Sequence, residues 1–186
     1  MHLGKIENLG KARVHLTRLS ASLEPQADPV ALSPEDESSI WPSCFARDDG
    51  GFLVLYQQQR DPFDMKGEVH VHRVVVDSTG KAADRRTHTF RNSMGTDTFD
   101  PSYFADASGD RVVLLWESYH KARASMHLTV YDMDGEEVVG DVTVVKRSSV
   151  TAPTIRCLGD RCAIGWVRSS GQGHTRKLAL VDTSGK

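Results

Sequence analysis

Three stretches of this chain share one plan: a proline, a short strand-like stretch, a turn carrying glycine, and an apolar run that closes on an aromatic residue. They read WPSCFARDDGGFLVLYQ (41–57), DPSYFADASGDRVVLLWES (100–118) and APTIRCLGDRCAIGWVRS (152–169). The prolines Pro42, Pro101 and Pro153 stand 59 and 52 residues apart, and the aromatics Tyr56, Trp116 and Trp166 stand 60 and 50 apart. Two separate rulers thus give one period. A fixed period constrains architecture strongly, because each unit must bury its apolar surface against a neighbour of the same shape.

A second shared segment follows each first one: VHVHRVVVDSTGK (69–81), MHLTVYDMDGEEV (126–138) and RKLALVDTSGK (176–186), with turn glycines Gly80, Gly135 and Gly185. Residues 14–32, VHLTRLSASLEPQADPVAL, align with 126–144, MHLTVYDMDGEEVVGDVTV, without a gap, and Leu23 replaces the turn glycine. The chain therefore opens in the middle of a repeat. VHVHRVVV and MHLTVY alternate with period two, as strands with one covered face do, whereas FLVLY, RVVLLW and CAIGW are nearly continuous apolar runs that suit strands buried on both faces.

About four short strands per repeat of 50 to 60 residues predict an all-β fold, a β-propeller-like array of four-stranded antiparallel blades. A two-sheet β-sandwich is the alternative. The reading divides the chain into a lead (1–10), a half blade (11–40), two blades (41–99 and 100–151) and a partial blade (152–186). The two incomplete units sum to one blade, giving about three in all, where closed propellers have about four to eight. The expectation is a partial ring: a fragment, or a protomer that self-associates, with a six-bladed homodimer as the specific form.

Composition narrows the partners. With 39% hydrophobic and 26% charged residues the chain is ordinary for a globular protein. A net charge of -2 and scattered Lys and Arg give no electrostatic footprint for nucleic acid. No apolar run is long enough to span a bilayer, and the opening MHLGKIENLGKARVHLTRL has no signal-peptide stretch, so no membrane partner is expected.

In IRCLGDRCA, Gly159 and Asp160 suit a two-residue hairpin turn, which sets Leu158 opposite Arg161 and Cys157 opposite Cys162. A cross-strand disulfide between Cys157 and Cys162 is the leading reading, with two buried free thiols as the alternative. Zinc needs further ligands and a redox pair wants Cys-x-x-Cys, so neither is favoured. Cys44 has no partner in the repeat and reads as a small buried residue.

The units DPSYFADASGDRVVLLWES and VYDMDGEEVVGD resemble a family of bacterial propeller repeats, common in secreted proteins and lipoproteins, built from Pro-Ser, a Gly turn, an apolar strand ending in Trp and an Asp-x-x-Gly turn. The resemblance spans residues from about 11 to the end and implies a fold rather than an activity. The cysteine hairpin is also similar to that family's, which implies an extracellular or periplasmic parent.

Chemistry-bearing patterns are few. His70 and His72 share a strand face, which can place two imidazoles on a metal, but no third ligand is signalled and a solvent-facing pair is the simpler reading. DMDGEE (132–137) lacks the remaining ligands of a calcium loop and reads as an Asp-Gly turn; DTFDP (97–101) is equally weak. No metal or other cofactor is expected. The stretch WESYHKAR (116–123) supplies the best binding candidates, Glu117, Tyr119 and His120, joined by Arg60 and Asp61 in QQQRDPFDMKGE (57–68) and by the loop RSSGQGHTR (168–176). These point to a non-enzymatic scaffold that binds protein or glycan through loops on one ring face. The alternative is a glycan-acting propeller hydrolase drawing two carboxyls from Asp61, Asp64, Asp100 and Glu117, which must converge to about 5 to 10 Å. The Asp-box, the nucleophile elbow, the phosphate loop and the dinucleotide fingerprint are all missing.

Overall fold

A computed structural model of the chain describes residues 11–59, 67–91, 103–120, 123–148 and 150–184. Within these there are thirteen strands and no helix. A short pair, β1 (His15–Leu16) and β2 (Val30–Ala31), is followed by a sheet of β3 (Ser39–Ala46), β4 (Phe52–Gln58), β5 (Glu68–Val76) and β6 (Arg86–Arg91). Next come β7 (Tyr103–Ser108), β8 (Arg111–His120), β9 (Arg123–Asp132) and β10 (Glu137–Ser148), then a three-stranded sheet of β11 (Val150–Leu158), β12 (Arg161–Ser170) and β13 (Gly173–Asp182). Every pairing is antiparallel and joins strands adjacent in sequence. This is a β-propeller-like array of blades forming part of a ring.

The sheets stack face to face, and each seam is an apolar core. Val54, Tyr56, Val74 and Val76 turn one face of the β3–β6 sheet toward Val14 and Leu32 of the first hairpin. Leu53, Leu55, Val69 and Val71 turn its other face toward Val112, Leu114, Trp116 and Tyr131. Val113, Leu115, Met126, Leu128 and Val130 then meet Ile155, Cys162 and Ile164 of the last sheet. The continuous apolar runs of β4 and β8 follow from this: their alternate residues enter different seams, so neither face tolerates a polar side chain.

Repetition extends to single hydrogen bonds. Gly80 N donates to Asp77 O, Gly135 N to Asp132 O and Leu23 N to Ser20 O, at 3.0, 3.0 and 2.9 Å. The side chains of Asp77, Asp132 and Ser20 each accept from the backbone N–H four residues on, at Lys81, Glu136 and Glu24. Leu23, standing where the other units place glycine, is held at φ 64° against 93° and 74° for Gly80 and Gly135. Leu16 pairs with Val30 and His15 with Ala31, repeating position for position the Leu128–Val142 and His127–Thr143 pairs of β9 and β10.

The repeated prolines have a structural reason. Register slips between Ile40 and Ser43 in β3 and between Thr151 and Thr154 in β11, leaving Trp41 and Ala152 at φ 56° and 49° immediately before Pro42 and Pro153. A proline cannot donate to a ladder, so a bulge at that point removes the mismatch. Pro101 lies outside the described residues.

Candidate binding site

The first strands of the three larger sheets, β3, β7 and β11, converge on a half-open cavity of about 300 Å3. Each gives three consecutive residues: Trp41, Pro42 and Ser43; Tyr103, Phe104 and Ala105; Thr154, Ile155 and Arg156. Two of these triplets begin at or just after a proline bulge, so the bulge re-aims the strand at the point where it reaches the cavity. Tyr103 is buried and donates its hydroxyl to Trp41 O at 2.5 Å, which ties β7 to the bulge of β3 across the seam. Burial pushes the Tyr103 phenol well above its ordinary pKa, so it acts as a neutral donor.

Trp41 is 43% exposed, an unusual placement for the largest apolar side chain, and offers a ring face beside the cavity. Arg156 is also exposed, with Nη1 donating to Ile155 O at 3.0 Å. Ser43 and Thr154 add hydroxyls. No carboxylate stands among these lining residues. The nearest one in sequence, Asp106, is committed elsewhere: Oδ2 accepts from Cys157 N at 2.9 Å and Oδ1 from Ala107 N at 3.0 Å.

A second cavity, of about 220 Å3, lies between the turns that end β3, β7 and β9. Arg47 crosses it, donating to Asp134 Oδ1 at 2.7 Å and Asp49 Oδ2 at 2.9 Å as well as to Met133 O, so its charges are spent on holding two sheets together.

Several sequence expectations change here. WESYHKAR is not a loop: β8 runs through His120, where Tyr119 pairs with Ala124 and His120 with Arg123, and only residues 121–122 lie between β8 and β9. Glu117 is half-buried opposite Met126 and shares with Val113 and Leu115 the strand face that meets the last sheet, away from the axial cavity. The 168–176 segment is likewise strand on both sides of a tight turn at Gly171 and Gln172. Long, paired strands replace the loops because each extra antiparallel pair satisfies its own backbone groups. Arg60, Asp61, Asp64 and Asp100 lie outside the described residues.

His70 and His72 do share a face, but it is not a solvent face. His72 is buried under the 33–39 segment, stacked at 5.2 Å on Tyr56, with Nδ1 on Thr87 Oγ1 at 2.9 Å and Nε2 3.6 Å from Glu37. Glu37 is itself clamped by both Arg85 guanidinium nitrogens at 2.5 and 2.9 Å. Among the described residues no group of three His, Cys, Asp or Glu side chains has metal-binding geometry. The tandem recurs in the next sheet, where Trp116 stacks on His127 at 4.2 Å and His127 Nδ1 meets Thr143 Oγ1 at 3.2 Å. These histidines are parts of the blade plan.

Cys157 and Cys162 are directly opposite in register and joined by a disulfide, with their Cα atoms 4.0 Å apart. Cys44, expected to be buried, is a free and exposed cysteine on the side of β3 that the short β1–β2 pair is too small to cover.

The cavity residues Trp41, Tyr103 and Arg156 were not singled out from sequence. A signal was present: each stands within three residues of a repeated proline, and first strands of blades surround the axis.

No family model matches the chain, and no curated protein matches it. Among solved structures it is similar to a thermostable family-43 glycoside hydrolase, at 11% identity and a TM-score of 0.50 over 89% of this chain. It is also similar to an endo-arabinase from Bacteroides thetaiotaomicron, at 12% identity and 0.45 over 85%. The chain spans 66% and 61% of the lengths of those two proteins. At such identities the first likeness is one of fold.

Proposed function

We propose that the chain is a non-enzymatic binding module whose axial cavity takes a glycan, with a preference for one carrying a carboxylate. The supporting observation is the cavity lining: an exposed Trp41 face, the hydroxyls of Ser43 and Thr154, and the cation of Arg156, with no carboxylate beside them. A flat aromatic suits a sugar ring's C–H face, hydroxyls exchange hydrogen bonds with sugar hydroxyls, and a lone guanidinium selects an acidic partner. Hydrolysis of a glycosidic bond needs a facing pair of carboxyls, and this lining provides neither.

The hydrolase reading remains the competitor, favoured by the fold shared with a glycoside hydrolase. Its candidate acids would have to come from Asp61, Asp64 or Asp100. One experiment separates the two. Titration calorimetry against neutral and uronic-acid oligosaccharides is expected to show saturable binding that Trp41→Ala weakens at least about tenfold, or about 1.4 kcal/mol, and Arg156→Ala weakens for the acidic series alone. Affinity indifferent to both substitutions would remove the cavity from consideration, and steady release of reducing ends would establish the hydrolase.

A further inference from the structure

The two ends of the stack are unlike its middle. Seven large hydrophobic side chains are exposed among the described residues, and three of them, Leu158, Leu178 and Leu180, at 87%, 69% and 68%, lie on the outward face of the last sheet. Register makes them neighbours: Leu180 is opposite Ala163, Leu178 opposite Gly165, and Leu158 opposite Arg161 on the same face, so nothing bulky or polar separates the two leucines of β13 from β12. At the other end Leu19 and Leu23 are 50% and 75% exposed on the first hairpin, beside the uncovered Cys44 of β3. Every internal face of this stack is apolar and covered; these two end surfaces are apolar and open.

Charge distinguishes the ends. Residues 150–184 hold five cations, Arg156, Arg161, Arg168, Arg176 and Lys177, against two acids, Asp160 and Asp182. Residues 11–40 hold five acids, Glu24, Asp28, Glu35, Asp36 and Glu37, against three cations, Lys11, Arg13 and Arg18. By register Arg156, Arg161 and Arg176 stand on the same outward face as Leu178 and Leu180. A basic apolar face at one end and an acidic apolar face at the other are complementary to each other and repelled by themselves.

We infer that the outward face of β11–β13 docks the first-hairpin end of a second copy of this chain, head to tail. The apolar stripe supplies the adhesion and the opposite charges set the orientation. A head-to-tail contact either closes into a ring or grows without limit. Two copies of about three blades each fall within the four to eight blades that close a propeller, so closure at two copies is the expected end point, with two identical seams.

Sedimentation velocity on the full chain, from about 1 to about 100 µM, is the test. The expected result is a species of twice the chain mass that weakens as salt rises. Leu178→Glu with Leu180→Glu is expected to weaken it at least about a hundredfold while the far-ultraviolet spectrum stays that of the parent, since both side chains are exposed. Leu19→Glu with Leu23→Glu should do the same from the other end. Mixing the two doubly substituted chains restores a single seam and therefore a complex, which only head-to-tail docking allows. A chain that stays monomeric at the top concentration overturns the proposal, since it would leave the face to some other occupant. A dimer that survives the Leu19→Glu, Leu23→Glu pair overturns it too, because the last sheet would then be docking against itself.

Discussion

The β7–β10 and β11–β13 sheets are built from the same repeat and differ in what lies against them. In the first, Leu114 and Leu115 are consecutive on β8 and both are fully buried, Leu114 against the preceding sheet and Leu115 against the following one. In the second, Ile164 is buried inward, while the outward positions on either side of it are the small Ala163 and Gly165. Their partners on β13, Leu180 and Leu178, are left in water. A blade's strands therefore do not decide their own burial; the neighbour does. Apolar surface that is worth roughly 25 cal/mol per Å2 in the middle of the stack contributes nothing at its end until something covers it.

The sharpest way to break this comparison is to truncate one leucine from each sheet. Leu115→Ala leaves a cavity in a closed seam and is expected to cost about 3 to 4 kcal/mol in urea unfolding. Leu178→Ala removes an exposed side chain and should stay within about 0.5 kcal/mol for the monomer. A large cost at Leu178 that grows with protein concentration would show the face covered in solution; a small cost at Leu115 would mean that the middle seam is not packed as described.

The seams also differ in titratable groups. In β5 and β9 a histidine faces the blade's aromatic, His72 on Tyr56 and His127 on Trp116, whereas β13 puts Lys177 opposite Trp166. Burial, followed by the nearby Arg85 cation, pushes His72 down from 6.5 to about 4; burial also lowers His127. A histidine with a depressed folded pKa is neutral in the fold and takes up a proton on unfolding, so its stabilising contribution is complete above about pH 6.5 and is lost as pH falls toward 4. Glu37, lowered by its Arg85 hydrogen bonds, runs in the same direction in the carboxylate range. For His72 the loss is on the order of 3 kcal/mol. Unfolding followed by Tyr and Trp fluorescence from pH 7 to pH 4 should show that decline, and His72→Gln should flatten it. An unchanged slope in the variant would mean that His72 is solvated. The last sheet has no such group and is expected to contribute little to the pH dependence.

Much of this was legible in the sequence because it is local. The Asp-x-x-Gly turns, the Gly159–Asp160 hairpin and the Cys157–Cys162 pairing are each fixed by residues within about five positions of one another, so their chemistry is written consecutively. The cavity is not local: Trp41, Tyr103 and Arg156 come from three units and meet only when the sheets are stacked around an axis. The supposed loop at 116–123 failed for a related reason. Glu117, Tyr119 and His120 look like loop residues by composition, but an antiparallel partner in β9 extends β8 past the point where hydrophobicity stops. The solvent reading of His70 and His72 failed because the residues that cover them, 33–39, belong to a different unit.

The smallest expected effect tests the weakest copy of the repeat. Leu23 takes the φ of 64° that Gly80 and Gly135 take at 93° and 74°, and it makes the same turn hydrogen bond, so the first hairpin is forced into the shared geometry by its neighbours rather than by its own residue. A left-handed conformation costs a side-chain-bearing residue about 1 to 2 kcal/mol, and glycine gives back about 0.5 to 1 kcal/mol through the flexibility of the unfolded chain. Since Leu23 is 75% exposed, little burial is lost with it. Leu23→Gly should therefore stabilise the chain by up to about 1 kcal/mol, read as a higher urea midpoint with an unchanged slope. In a chain that self-associates through this end the sign can reverse, because the leucine that strains the free hairpin is then part of what docks. Measured below and above the association midpoint, the substitution should stabilise the monomer and weaken the complex. A gain of equal size in both regimes would place Leu23 outside the contact.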